Sequence, residues 1–385
     1  MDKTKRIILT CYITLGINGL LSLALGSLIP YFRESLNLEY EFVGLILSSH
    51  SIGNMFAAYS FGLVQNKIGS RKAILSYNLA YILSLIIMIL TNNKYILLVG
   101  IFLTGVSRGS SINFNTKTLV DIDPTSAKYT NILHAMFGLG ALSFPLLLLG
   151  VVFFSPSNWK LSLIILLVLG ILAWILYYKM DIEDNNKENK VNNSYGFLKE
   201  PLFYLGSLVL FFYLSTEQGI VGWLITYLTD SGYLSQDISQ LMASLLWTMI
   251  MIGRLILGNM KNNVNMKGLL VMMSVGTLLF IILLVNSTNS ILIMIGITGC
   301  GLCMAGIYPI TVACIGFLTK KYSLMWSNVL SFGMLGSILT PIIMGNVAKI
   351  FGINASMNTI IFTALLDLII IIMLYYKLNI DNKGN

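Results

Sequence analysis

Charge is scarce in this chain of 385 residues. Asp, Glu, Lys and Arg together make up 10% of it, whereas 56% of the residues are hydrophobic and the mean hydropathy is +0.81. A soluble domain carries about a quarter charged residues, so the composition excludes one. The apolar runs are about 20 residues long, which is the length of a membrane-spanning helix and not of a barrel strand. The sequence therefore predicts an all-α membrane protein.

Histidine and cysteine are also few, with two and four residues. Cys300 and Cys303 have CxxC spacing, but they lie in an apolar helix without a second ligand pair, so we predict neither a metal site nor a cofactor. Walker loops, HExxH and paired-carboxylate hydrolase patterns are missing, so we predict no enzyme. The net charge of +8 does not indicate nucleic acid as a partner, because the basic residues cluster in alternate loops.

The apolar runs predict twelve transmembrane helices. They span 7–32, 41–64, 73–91, 95–119, 129–153, 159–178, 201–229, 239–259, 268–285, 291–318, 326–350 and 357–376. The first run is too long for a signal peptide, so we expect a retained helix. The polar segment 179–200 is predicted to be a cytoplasmic loop. It separates an N-terminal six-helix bundle, 1–178, from a C-terminal one, 201–385.

The basic residues also predict orientation. The segments before helix 1 and between helices 2 and 3 are rich in Lys and Arg, whereas the opposite set of loops carries only Arg33, Lys94, Lys160 and Lys349. Because positive charge stays on the cytoplasmic side, both termini are predicted to be cytoplasmic and the protein to lie in the cell membrane.

The two halves repeat at a fixed offset of 196 residues. The matching pairs are Gly62 and Gly258, Gly105 and Gly301, Gly140 and Gly336, and Pro145 and Pro341. This spacing indicates a duplicated six-helix unit, an arrangement that places a solute site at mid-membrane between the halves. Glycines also let helices approach closely, and both roles can hold together.

The segment 62–72 resembles the signature loop of the major facilitator superfamily, with Asn66 in place of the usual Asp and Ser70 in place of a basic residue. The resemblance implies two pseudo-symmetric six-helix bundles that expose a central site alternately to each side. It also implies a gating role for this loop and for the equivalent end of helix 8. The predicted gating residues are Gly62, Asn66, Gly69, Arg71 and Arg254.

Three further segments, 131–145, 213–228 and 253–258, resemble helices 5, 7 and 8 of fucose-permease-like sugar:proton symporters. This resemblance implies a sugar or polyol as solute and a proton as coupling ion. Those symporters carry acids in helices 1 and 4, where this chain has Asn18 and Arg108. Coupling would then depend on Glu217, with facilitated diffusion or another ion as alternatives.

Glu217 lies inside an apolar run, where a carboxylate is costly and marks a substrate or proton pathway. It is predicted to bond solute hydroxyls or take up a proton, or else to pair with Arg108 or His134. Arg108 can pair with Glu217 or bind an anionic group of the solute through its planar fork. His134 can relay a proton or be a structural residue.

The remaining candidates are aromatic and amide side chains. Trp223, Tyr227 and Tyr308 could stack on the apolar face of a sugar or act as packing residues. Asn18, Asn113 and Asn328 suit hydroxyl recognition or interhelical bonds. His50 and Asn54, one turn apart on helix 2, are expected to line or gate the outer half of the cavity. Asp367, the other acid within an apolar run, is expected to contact a neighbouring helix.

These observations predict a monomeric secondary transporter that moves a small polar solute across the bilayer by alternating access, with proton coupling. One alternative is a drug or metabolite exporter of the same fold, for which the 19 Met residues would supply an adaptable cavity. An organic-anion transporter is the second, if Arg108 binds the solute. A non-transporting membrane sensor is the third, although the chain has no long soluble segment that would favour it.

Overall fold

The computed structural model describes residues 3–123, 128–155, 157–181, 195–260, 264–318, 322 and 324–381. Twelve long helices account for most of this part of the chain. They are α1 Lys3–Leu36, α2 Tyr40–Ile68, α3 Ser70–Leu90, α4 Lys94–Ile122, α5 Lys128–Phe154, α6 Lys160–Tyr178, α7 Pro201–Asp230, α8 Gln236–Gly258, α9 Met266–Asn286, α10 Ser290–Ile315, α11 Met325–Phe351 and α12 Ile353–Asp381. The predicted all-helical fold is confirmed, and most helices extend a few residues beyond their predicted ends.

Eleven of the helices in the described ranges are long and apolar enough to cross a membrane. The exception is α2, which has sufficient length, at 29 residues, but carries many polar side chains. Several of them, including Ser48, His50, Ser51 and Gln65, are buried inside the protein. Burial against other helices lets α2 keep polar groups that lipid would not solvate.

In the described part of the chain, four helices begin at a residue whose side chain caps the helix N-terminus. Asn93, Asn265 and Asn289 accept backbone N–H groups at the beginnings of α4, α9 and α10, and Ser235 does the same for α8. The first turn of a helix leaves N–H groups without intrahelical partners, so these short polar residues fix where each helix begins.

The chain forms two compact units, Met1–Glu188 and Asn189–Asn385. In the first unit α1 packs on α5, α2 packs on α4, and α3 packs on α4 and α6. In the second unit the corresponding pairs are α7 with α11, α8 with α10, and α9 with α10 and α12. The same packing scheme is therefore used twice. Of the predicted central loop, residues 182–194 lie outside the described ranges, and Tyr195–Lys199 form a short 3-10 helix before α7.

Two of the three glycine pairs that repeat at 196 residues, Gly105 with Gly301 and Gly140 with Gly336, lie at equivalent helix contacts, whereas a Cβ on Gly62 or Gly258 would meet no atom within 4 Å. A Cβ on Gly140 would lie 1.9 Å from the carbonyl oxygen of Gly16 on α1, and one on Gly336 would lie 2.1 Å from that of Phe211 on α7. Helix α5 thus approaches α1 as closely as α11 approaches α7. Such approach of backbones requires residues without side chains.

The predicted gating segment differs from a loop. Helix α2 continues to Ile68 and α3 begins at Ser70, so Gly69 alone connects them. Its φ of +87° is one that residues with a side chain rarely adopt. Gly62 and Asn66 are exposed on the last turns of α2. Because the apolar run ends at Val64, the sequence did not reveal that the polar residues 65–68 extend the helix.

Arg71 lies in the first turn of α3 and is tied to the end of α6. Its guanidinium donates a hydrogen bond to the carbonyl oxygen of Tyr178 and lies 5.1 Å from the centre of the Tyr178 ring. A side-chain bond between Gln65 and Ser70, 2.8 Å long, spans the turn at Gly69. These contacts join the ends of α2, α3 and α6 within the first unit.

Candidate functional site

A polar cluster in the second unit contains Glu217 on α7 and Arg254 on α8. The hydroxyl of Tyr213, one turn before Glu217, lies near both charged groups. Neither contact reaches full hydrogen-bond geometry in this conformation. In the part of the chain that the structure describes, Glu217 and Arg254 do not form a direct salt bridge. The tyrosine therefore sits between a carboxylate and a guanidinium that are not in direct contact with each other.

Aromatic rings continue this cluster from α7 to α11. The ring centres of Tyr213 and Tyr308 are 6.4 Å apart, and those of Tyr308 and Trp326 are also 6.4 Å apart. The hydroxyl of Tyr308 lies close enough to Glu217 and Arg254 for the charges of both groups to act on it. We name Tyr213, Glu217, Arg254, Tyr308 and Trp326 the α7 cluster.

The α7 cluster combines the groups that a polyhydroxylated solute needs. A carboxylate accepts hydrogen bonds from hydroxyl groups, a guanidinium donates them, and a tyrosine hydroxyl does both. Aromatic faces supply apolar area next to these polar groups. Glu217, Arg254, Tyr308 and Trp326 are all half-buried, so the cluster keeps some surface for a ligand.

The structure places Arg254 of α8 in the α7 cluster. The gating role that the superfamily resemblance implies for it stays a prediction. The structure directs it toward Tyr213 and Tyr308, two residues of α7 and α10. The contact between helices that decides this direction has no signature in the sequence of α8.

Arg108 lies in the first unit, next to His50 of α2 and Phe137 of α5. One guanidinium nitrogen lies 3.4 Å from Nε2 of His50, and the Cζ atom lies 5.5 Å from the centre of the Phe137 ring. The other ring nitrogen of His50, Nδ1, lies 2.8 Å from Oγ1 of Thr104. His50, which we expected to line or gate the cavity, is instead buried against α4, with 2% of its surface exposed.

The three predicted asparagines have different surroundings. Asn18 is buried and donates to the hydroxyls of Ser107 and Ser111, at 3.1 and 3.4 Å, so it links α1 to α4. Asn113 is half-buried and lies 3.5 Å from the carbonyl oxygen of Ala58 on α2. Asn328 is exposed and bonds within its own helix, to the carbonyl oxygen of Leu324.

The other predicted residues lie outside the α7 cluster and the surroundings of Arg108. Trp223 is completely buried inside the second unit. His134 is exposed on α5. Asp367 is buried in α12, 3% exposed, and its Oδ1 has no hydrogen-bond partner in the described ranges.

Sequence analysis missed Trp326 and Thr104. Trp326 is at the start of α11 with no neighbouring motif, so only its position beside Tyr308 marks it. Thr104 had a usable signal, since it precedes Arg108 by four residues and therefore lies on the same face of α4.

The family model of the Major Facilitator Superfamily matches residues 11–285, more than half of the sequence. The chain belongs to the Major Facilitator Superfamily. It is thus a multi-pass membrane transporter of small solutes, not an enzyme.

Two of the proteins that this chain resembles are named as transporters of different solutes. The glucose/mannose transporter GlcP of Bacillus subtilis (strain 168) is 24% identical over 317 residues, which cover 79% of this chain and 78% of GlcP. A bacterial homologue of the human lysosomal transporter Spinster, in an inward-facing and occupied conformation, has a TM-score of 0.76 at 12% identity, over 98% of this chain and 97% of that one. The human organic anion transporter MFSD10 has a TM-score of 0.71 at 15% identity, over 96% of this chain and all, 100%, of that one. The structural likenesses show the fold alone.

Proposed function

We propose that this superfamily member carries a sugar or polyol across the cell membrane by alternating access, coupled to protons. The α7 cluster is the observation that carries this proposal. It offers a carboxylate, a guanidinium, two phenolic hydroxyls and an indole ring within one six-helix unit. The similarity to a glucose/mannose transporter supports the same solute class.

Glu217 is the proposed coupling group. It sits in the middle of α7, half-buried, with Arg254 and two tyrosine hydroxyls around it. A carboxylate inside a membrane segment that reaches a hydrophilic path can gain and lose a proton as the carrier cycles. Solute hydroxyls and a proton would then act on the same group, which links their movements.

The test of coupling is Glu217→Gln, measured as transport in proteoliposomes. Gln keeps the shape and hydrogen-bonding capacity but cannot exchange a proton. We expect uphill accumulation driven by a proton gradient to be lost, while exchange of labelled for unlabelled solute continues. Asp230→Asn, at the exposed end of the same helix, is the matched control and should accumulate normally. Undiminished accumulation by Glu217→Gln would show that Glu217 does not couple transport to protons.

An organic anion is the second candidate solute, because the guanidinium of Arg108 lies half-buried in α4, within a membrane segment. Its planar fork is well suited to a carboxylate. A thermal-shift screen of the purified protein against glucose, glucuronate and lipophilic exporter drugs separates the candidates, since a ligand stabilises the state it binds. Stabilisation by glucose supports the sugar proposal. A response to glucuronate alone, lost in Arg108→Ala, would make the chain an anion carrier.

A further inference from the structure

Helices α2 and α4 bring three polar side chains into a row inside the first unit. Thr104 and His50 are buried, with 0% and 2% of their surfaces exposed, whereas Arg108 is half-buried. Nδ1 of His50 faces Oγ1 of Thr104 at 2.8 Å, and Nε2 of His50 faces Nη1 of Arg108 at 3.4 Å. The row thus leads from a buried hydroxyl to a guanidinium that retains some exposed surface.

The position of each proton follows from the neighbours. The hydroxyl of Thr104 donates to the carbonyl oxygen of Ile101, so its oxygen is left to accept from His50. Nδ1 of His50 therefore carries the ring proton. A guanidinium is only a donor, so Nε2 must accept from Arg108 and be unprotonated. The histidine is neutral, with one defined tautomer.

The backbone holds this row in place. A Cβ on Gly105 would lie 1.9 Å from the carbonyl oxygen of His50, and one on Gly53 would lie 2.1 Å from that of Phe102. Helices α2 and α4 are therefore in backbone contact at the histidine and again three residues after it. Such close packing leaves the buried ring little freedom to move.

We infer that Thr104 and His50 are positioning residues, which hold the guanidinium of Arg108 for binding an oxygen atom of the solute. Thr104 selects the tautomer of His50, and the acceptor nitrogen of His50 then orients Arg108. The ring of Phe137, 5.5 Å from Cζ of Arg108, supports the guanidinium from α5. This inference rests on the proposed function, since it assigns a solute oxygen, from a hydroxyl or a carboxylate, to Arg108.

Two pairs of variants separate positioning from simple packing. The amide oxygen of His50→Gln can occupy the place of Nε2 and still accept from Arg108, whereas His50→Asn reaches only the place of Nδ1. Thr104→Val keeps the shape of threonine without the hydroxyl, and Thr104→Ser keeps the hydroxyl. We expect KM to rise about tenfold in His50→Asn and Thr104→Val and to stay within about twofold of the parent in His50→Gln and Thr104→Ser. The maximal rate should change less than KM.

Transport is measured in proteoliposomes with glucose and with glucuronate as the two probes. A rise in KM for glucuronate alone would show that the oxygen belongs to an anion, and a rise for glucose would show that it belongs to a neutral hydroxyl. Equal KM values in His50→Gln and His50→Asn would overturn the inference, because packing volume alone would then decide the effect.

A spectroscopic measurement tests the row without any solute. The chain has two histidines, so His134→Gln leaves His50 as the single histidine for ¹⁵N NMR. In that background the spectrum should show the tautomer protonated at Nδ1, and Thr104→Val should shift it toward Nε2. An imidazolium, or a ring protonated at Nε2 in the parent, would overturn the inference. If neither glucose nor glucuronate is transported but His50 has the expected tautomer, the proposed function fails. The contacts among Thr104, His50 and Arg108 then still stand.

Discussion

At the residue scale, this transporter keeps its charged groups few and surrounds them with hydroxyls. Glu217 and Arg254 both lie near the hydroxyl of Tyr213, and Arg108 is joined to Thr104 through His50. A charged group in a membrane segment is costly unless polar neighbours replace water. The same neighbours that lower this cost also fix the direction of each charged side chain.

Removing the hydroxyl of Tyr213 should therefore weaken solute binding. In Tyr213→Phe the ring still packs beside Tyr308, so we expect a melting temperature close to that of the parent. We expect bound solute to bring this hydroxyl into a hydrogen bond beside Glu217 and Arg254, so KM should rise about tenfold when the hydroxyl is removed. The measurement is initial-rate transport of the solute found in the thermal-shift screen.

The control for this change is Tyr204→Phe near the start of α7. The hydroxyl of Tyr204 donates to the carbonyl oxygen of Leu198, 2.9 Å away, at an exposed position. We expect an unchanged KM there. If the two variants behave alike, Tyr213 is a packing residue and the α7 cluster loses its central member.

At the scale of helices, glycine residues determine where the backbones of two helices can come into contact. Gly140 of α5 meets the backbone of α1, and Gly336 of α11 meets that of α7. Not every glycine in these helices has this role, since a Cβ on Gly150 of α5 would meet no atom within 4 Å. A glycine is therefore required only where the backbone of a neighbouring helix comes close to it.

Gly140→Ala and Gly150→Ala form a matched pair on α5. The first places a methyl group 1.9 Å from a backbone oxygen, and a backbone cannot move aside as a side chain can. We expect its free energy of unfolding to fall by about 1–3 kcal/mol. Gly150→Ala should be neutral or slightly stabilising, because alanine favours helix over glycine by up to about 1 kcal/mol. Thermal unfolding in detergent gives both values, and equal melting temperatures would contradict the packing argument.

At the scale of the whole molecule, two six-helix units with the same packing scheme follow one another in the chain. The polar groups do not repeat with the helices. Arg108 has Met304 at the equivalent place in the second half, and Glu217 has Leu21 in the first. The two units thus share a packing scheme but carry different polar groups.

The distribution of basic residues predicts the orientation of this scaffold in the membrane. In a background without the four cysteines, Ser157→Cys lies between α5 and α6, and Asn259→Cys lies directly after α8. With both termini cytoplasmic, a membrane-impermeant thiol reagent should label Ser157→Cys in intact cells and Asn259→Cys only after permeabilisation. The opposite pattern would invert the predicted topology.

Signals along the sequence are sufficient to predict the class of fold. Apolar runs of membrane length, a polar interruption after the sixth run and a repeat at 196 residues are one-dimensional signals, and helices in lipid satisfy their own backbone groups. For the same reason the sequence could single out Glu217 and Arg108, since the cost of a charge inside an apolar run can be seen without knowing its neighbours.

The neighbours of these charged groups depend on how the helices pack against one another. His50 and Arg108 are 58 residues apart, and only the close approach of α2 and α4 at Gly105 makes them partners. Arg254 likewise turns to Tyr213 and Tyr308 because α7, α8 and α10 pack together. Helical periodicity predicts which residues share a face of one helix, but contacts between helices depend on side-chain volumes at the crossing points.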